Sequence, residues 1–469
     1  MLAITVSNRK WQSAYWSAII LALAFVIFSA IMHVGVIQSN KLSALGPGIY
    51  FTGALIIFVM MVRSGGALAP ISWYILGTGI FFGLGSALWA LVPELHSRRA
   101  LYVRPGDLLN VNLLNSSSIL IVLLSAKIFL GNKISQVGQG ARSQINLKSI
   151  YYMLIPVVIL SVMADYYFFP AAEDLIVRSM QSKMRLIISM YLLISGMLWS
   201  QLRKQWKILS ILVLFAIVFR GVLALSKAEM LTPVLCFLAG YWAINHSLKA
   251  VALPLLAAVV VFAFVLVPFV KQGRMNAGYD AASNSVIDRI DIISSGTKTK
   301  TRNSAPSVRP LSRLSHSPYQ RYLINEYDET RPGESLSDFW VALVPRIFWS
   351  DKPVVTRFGR ELHEQFNRVR NARSALAPTY SAEAYWNYGA VGVLIVSVLM
   401  GLQFGWLTKC WFYAVQGHGK AYLAIAFPAV FLAFNVEAWI AASYVGGFVT
   451  LLIIWLIVWL SSLVVGTRK

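Results

Sequence analysis

Between residues 271 and 382 the sequence gathers Arg289, Arg313, Arg321, Arg346, Lys352, Arg357, Arg360, Arg368, Arg370 and Arg373. A guanidinium is a planar fork of donors that grips phosphate through paired hydrogen bonds, so this density of arginine fits recognition of a phosphorylated substrate. The same residues also fit a solvated loop whose arginines touch lipid headgroups or pair with Asp351, Glu361 and Glu364. A second basic group, Arg98, Arg99 and Arg104, lies between two apolar stretches. It reads either as an anion site or as a short basic loop overridden by its strongly hydrophobic flanks. Arg220 sits within an apolar stretch, followed by Lys227 and Glu229. Charges at that depth usually face a cavity, although snorkelling or a structural Lys227–Glu229 pair would also accommodate them.

The candidates for proton transfer are few. Glu383 lies where the polar stretch ends, among Tyr380, Tyr385 and Trp386, whose rings can stack on sugars. A general base needs such a boundary position, within reach of a hydroxyl and with an adjustable pKa. A first-turn acid favoured by the helix dipole, beside an aromatic belt, is the structural alternative. His363, in Arg360-Glu361-Leu362-His363-Glu364, and His316 are the histidine candidates, and Glu437 is an acid within a later apolar stretch. No His/Asp/Glu spacing resembles a metal site, and Cys236 and Cys410 are too few for a disulfide framework, so neither a metal nor another cofactor is expected.

What must position these groups is a membrane-embedded scaffold. With 57% hydrophobic and only 13% charged residues in 469, the chain lacks the polar surface of a soluble globule. Apolar stretches at 16–37, 47–62, 71–93, 108–130, 149–170, 185–201, 207–226, 230–246, 250–270, 383–407, 421–442 and 445–465 predict about twelve spanning helices. Backbone groups in lipid must bond internally, so an all-α polytopic membrane protein follows. The expected organisation is an N-terminal bundle over 1–270, a large loop over 271–382 with short interfacial helices, and C-terminal spans over 383–469.

The net charge of +22 is mainly a topology signal. With both termini cytoplasmic, the short basic loops fall on the inner side and the long loop faces outward, where its charge does not contradict positive-inside. No nucleic-acid partner is expected. Within the loop, residues 294–318 lack apolar periodicity. Order is expected after Tyr319, with Ser335-Leu336-Ser337-Asp338 as a hydroxyl-capped helix start and Leu336, Phe339, Trp340 and Leu343 on one face. That helix would lie in the headgroup layer, with Arg346 and Lys352 at phosphate depth.

Val344-Pro345-Arg346 through Trp349 and Asp351-Lys352-Pro353, followed by Glu383-Ala384-Tyr385 and Asn387-Tyr388-Gly389-Ala390-Val391-Gly392, resemble the O-antigen polymerase (Wzy-type) family. The motif covers about a tenth of the chain. The resemblance implies a GT-C-like glycosyltransferase fold in a bacterial inner membrane, active on the periplasmic side without nucleotide sugar or metal. It implies polymerisation of undecaprenyl-pyrophosphate-linked oligosaccharide repeat units, with membrane lipids and a chain-length regulator protein as further partners. By position, Arg346 and Lys352 become pyrophosphate contacts and Glu383 an acceptor-side residue, while Lys227 matches the family's middle-span basic residue only loosely. On this reading Arg346, with Arg98, Arg99 or Arg220, holds the donor pyrophosphate and Arg357 or Arg360 the acceptor's. Glu383 or His363 takes the hydroxyl proton. An O-antigen ligase and a lipid-linked oligosaccharide flippase or other transporter are the alternatives.

Overall fold

The computed structural model describes residues 8–34, 40–92, 105–131, 147–167, 175–224, 226–245, 261, 314–344, 348–349, 353, 357–367, 375–415, 429–445, 447–448 and 451–452. Among them helices are the only regular structure, and six are long and apolar enough to cross a membrane: Arg9–Val34, Leu45–Gly66, Pro70–Leu91, Gly106–Leu130, Lys204–Leu223 and Tyr380–Tyr413. Each falls on a stretch that hydrophobicity alone picks out. Three further expected spans appear as shorter apolar helices, Tyr151–Tyr167, Ile187–Gln201 and Glu229–Tyr241. The expected span at 250–270 lies outside the described residues apart from position 261.

The distribution of polarity is that of a membrane protein. Ile20, Ile31, Leu160, Phe215 and Leu399 are exposed, whereas Asn112, Asn115, Asp165, Gln320 and Glu383 are buried. In water this arrangement would forfeit hydrophobic stabilisation; in hydrocarbon the apolar faces cost nothing and the polar groups must bond to one another. The chain is therefore an α-helical membrane protein.

Contacts divide the chain into two compact units. One comprises residues 144–304 with 1–3, the other 4–143 with 305–469. In the second unit the Pro105–Leu130 and Tyr380–Val415 helices pack against each other. Gly401 and Gly405 let the backbones approach so closely that a Cβ at either would lie 2.4 Å from the Val122 carbonyl oxygen or 2.5 Å from that of Ala126. Small residues four apart allow such approach where lipid supplies no hydrophobic drive between helices. The Ser317–Asp328, Phe339–Leu343 and Arg357–Asn367 helices belong to the same unit.

In the first unit the Leu175–Leu198 and Lys227–Asn245 helices meet in the same manner. Gly196 faces the Phe237 carbonyl and Gly240 faces that of Leu193. The Leu147–Tyr167 and Lys204–Leu223 helices belong to this unit as well.

Two expectations are corrected. The 421–442 stretch is not one continuous helix: residues 429–434 are helical, 435–439 are unwound, and a π-helical turn, Ile440–Val445, follows. The cause is tertiary, because the freed carbonyls of Val436 and Glu437 accept from the amides at the start of another helix. The hydroxyl cap at Ser335 is also not formed. Ser335–Asp338 is a 3-10 turn whose cap position is Glu334, and the Ser335 hydroxyl is engaged elsewhere.

Candidate functional site

The second unit holds a polar interior where the Tyr380–Val415 helix begins. Its first amides dock on the unwound segment: Thr379 N–H donates to the Glu437 carbonyl at 3.1 Å and Tyr380 N–H to that of Val436 at 3.4 Å. Backbone that leaves the helical pattern at membrane depth persists only where protein groups satisfy it, and broken spans of this kind recur at substrate sites. Thr379 adopts φ 92°, a conformation β-branched residues rarely take. Its Oγ1 accepts from Gln320 Nε2 at 2.8 Å and meets Ser381 Oγ at 3.1 Å, which holds the residue in place.

Glu383, one turn on, is buried, with both carboxyl oxygens engaged. Oε2 accepts from Ile440 N–H at 2.6 Å, and Oε1 accepts from Ser335 Oγ at 2.9 Å. Asn387, one further turn along, donates from Nδ2 to Ser335 Oγ at 2.9 Å and accepts Leu336 N–H on Oδ1 at 3.0 Å. The spacing of four puts both side chains on one helical face. Together they tie the 335–336 backbone and the π turn to one span. The Ser335 hydroxyl donates to Glu383 and accepts from Asn387, and it caps no helix.

Around this carboxyl group the interior is closed by neutral hydrogen bonds. Asn115 and Gln320 form a reciprocal amide pair, Nδ2 to Oε1 at 3.1 Å and Nε2 to Oδ1 at 2.8 Å. The Tyr380 hydroxyl meets those of Tyr74 at 2.7 Å and Ser118 at 3.2 Å. On the other side of the unwound segment, His316 Nδ1 donates to the Ala377 carbonyl at 2.6 Å while Nε2 lies 2.7 Å from Glu437 Oε2.

The Arg357–Asn367 helix caps the same end of this unit. Phe358 and Leu362 pack with Leu323, Ala382 and Trp439, and Leu376 N–H donates to the Gly359 carbonyl at 2.9 Å. Arg357 and Arg360 are exposed, and His363 is half-buried at the edge of the packed stripe. The structure thus brings Glu383, Arg357, Arg360 and His363 into one unit at one end of its spans. Tyr380 faces inward. Tyr385 donates to Asp328 Oδ1 at 3.0 Å, and Trp386 donates to the Arg331 carbonyl at 3.2 Å.

Arg220 belongs to the other unit. Its Nε lies 3.0 Å from Asp165 Oδ2, and its terminal nitrogen contacts Glu229, which Arg185 also meets at 2.5 Å. Lys227 opens the Lys227–Asn245 helix, and its side chain lies outside what is described. Arg98, Arg99, Arg346 and Lys352 lie outside the described residues altogether. Among the described residues no group of three or more His, Cys, Asp or Glu could hold a metal ion.

Sequence reasoning missed Asp165, Arg185, Asn115, Gln320 and Ser335. A lone acid in the 149–170 stretch and the run Asn112, Asn115, Ser116 and Ser118 in the next-earlier span were the available signals. Ser335 reads from the sequence as a helix cap, because its partner Glu383 is 48 residues away in the chain. No family model matches the chain, and no curated protein and no solved structure matches it either.

Proposed function

We propose that this chain is a membrane glycosyltransferase that joins lipid-pyrophosphate-linked oligosaccharide repeat units, transferring the growing glycan from its lipid carrier to a new lipid-linked repeat. The proposed setting is the periplasmic face of a bacterial inner membrane, with a GT-C-like arrangement of about twelve spans. The observation that carries the reading is the exposed pair Arg357 and Arg360, three residues apart on a helix that also bears His363 and that packs beside the Glu383 end of the spans. Residues three apart share a helical face, so the two guanidinium groups can meet one diphosphate while an imidazole stands one turn away. The resemblance carried by Val344 to Pro353 and Glu383 to Gly392 supports the same conclusion and adds Arg346 and Lys352 as phosphate contacts.

In the proposed reaction the acceptor hydroxyl oxygen bonds to the anomeric carbon, and the bond from that carbon to the pyrophosphate oxygen breaks. The electron pair leaves with the lipid pyrophosphate, and the hydroxyl proton passes to a base. Fixed guanidinium groups lower the barrier by meeting the charge that builds on the leaving group. His363 suits the base role, being half-buried beside Arg360. Glu383 suits a positioning role, because both of its oxygens already hold protein donors.

The double variant Arg357→Ala/Arg360→Ala tests this in cells that make the polymer. Charge-assisted bonds are worth about 1.5–3 kcal/mol each, so losing both is expected to cut polymerisation about a hundredfold or more. Protein level should stay normal because both side chains are exposed. Single-repeat glycolipid should accumulate. Unattached long polymer would instead favour a ligase, and unchanged polymer length would refute the role of these two arginines.

A further inference from the structure

The Tyr380–Val415 helix is broken at Tyr388 (φ −141°, ψ 20°) and Gly389 (φ 58°, ψ −149°), and a groove of about 880 Å³ opens at the break. It is lined by Tyr327 and Thr330 from the end of the Ser317–Asp328 helix and the turn after it, and by Asn387, Tyr388, Val391 and Ile395 from the span. Glycine is required at the break. A Cβ at position 389 would lie 2.8 Å from the Tyr327 hydroxyl oxygen, on a backbone that side chains disfavour.

The groove is amphipathic along its length. From Gly389 to Tyr413 the helix alone reaches about 37 Å, enough for a hydrocarbon core of about 30 Å, so the break falls at the membrane boundary. Tyr327 and Tyr388 then stand at headgroup level, where tyrosine is favoured. Val391 and Ile395, both more than half exposed, lead from there into the apolar layer.

The electrostatics select the head. The turn beside the groove carries Glu326, Asp328 and Glu329 against the single base Arg331, which is itself engaged by Glu326 at 3.1 Å and by Glu329. These acids adjoin the lining residues Tyr327 and Thr330 in sequence and leave an excess of negative charge that disfavours a phosphate there, while the lining itself offers hydroxyl and amide groups. The two tyrosine rings in the lining suit the apolar faces of a sugar, and the volume matches a site for a drug-sized ligand, more than a small ammonium head would fill.

We infer that this groove binds one sugar-headed lipid, its uncharged head against Tyr327, Thr330 and Tyr388 and its chain along Val391 and Ile395. The residues lining the groove include none of those given a role in the proposed transfer reaction, and the inference does not rest on that reaction.

The test is photo-crosslinking of the full-length protein in lipid nanodiscs, with dodecyl maltoside carrying a diazirine on its chain. A dodecylphosphocholine and a dodecyltrimethylammonium probe of the same chain serve as comparisons. The maltoside is expected to label 391–395 at least about tenfold more efficiently than either. Val391→Trp and Ile395→Trp, at exposed positions that leave packing intact, should abolish this labelling. Leu399→Trp, one turn further on the same exposed face, should not. Equal labelling by all three probes, preference for the ammonium or phosphocholine head, or labelling unaffected by Ile395→Trp would each overturn the inference. Loss of polymerisation plays no part in the readout, so it stands or falls apart from the enzymatic proposal.

Discussion

Arg220→Met is expected to destabilise the unit formed by residues 144–304 by about 3–5 kcal/mol, the usual cost of removing one partner from a buried ion pair. Asp165 is wholly buried and faces the Arg220 guanidinium at 3.0 Å, so the variant leaves a carboxyl group in a low-dielectric interior without the cation that contacts it, with Arg185 as the remaining positive charge near it. Glu229 suffers less, because Arg185 still meets it at 2.5 Å. Thermal unfolding in detergent should show the loss. Adding Asp165→Asn should recover part of it by removing the stranded charge. Arg220→Lys should fall between, since an ammonium cannot span both acids as a planar fork does. Were Arg220 instead a pyrophosphate ligand, Arg220→Met would leave the unfolding temperature unchanged and reduce turnover alone.

The second large effect is expected at Glu383. Replacement by alanine strands the Ile440 amide and frees the Ser335 hydroxyl, at about 1–3 kcal/mol for each buried group left without a partner. The consequence is local before it is global. The 335–338 turn and the Ile440–Val445 turn are both held to the span through this one side chain, with Asn387 as the second tie. Hydrogen exchange should therefore speed up at Leu336 and Ile440 together. Glu383→Gln should cost less: its oxygen can still accept from Ile440, while its amide must face a Ser335 hydroxyl that already accepts from Asn387. Unchanged exchange in Glu383→Ala would show that the carboxyl group does not organise these segments.

How much of this could be read from the chain depends on the range of the interaction. The six long spans were legible because twenty apolar residues in a row have few other fates, although the first begins seven residues earlier and the last ends six residues later than hydrophobicity alone places them. The break at 435–439 was not. Its sequence, Asn435-Val436-Glu437-Ala438-Trp439, unwinds because Thr379 and Tyr380 supply donors to its carbonyls, and nothing in the local pattern announces a partner some sixty residues earlier. Glu383 stood out as an acid at a span boundary, but its use as a tie between segments follows from Ser335 and Ile440, which composition does not flag. Arg220 was visible as an intramembrane charge. Its buried counter-charge, Asp165, lies 55 residues away and was passed over because a single acid hardly changes the hydropathy of its stretch.

The groove at Gly389 shows the same division. Asn387-Tyr388-Gly389 reads as an aromatic boundary followed by a glycine, yet the opening exists because Tyr327 packs against that glycine from another helix. Periodicity gives the helix, and the tertiary contact gives the site.

The measurement that bears most directly on the proposed activity uses purified full-length protein in lipid nanodiscs, supplied with a lipid-pyrophosphate-linked oligosaccharide and no nucleotide sugar. Products are sized by mass spectrometry. A lipid-linked polymerase lengthens the glycan in whole repeat units and releases one lipid pyrophosphate for each unit joined. Folded protein that returns the substrate unchanged, or that only moves it across a vesicle membrane, would contradict the proposal.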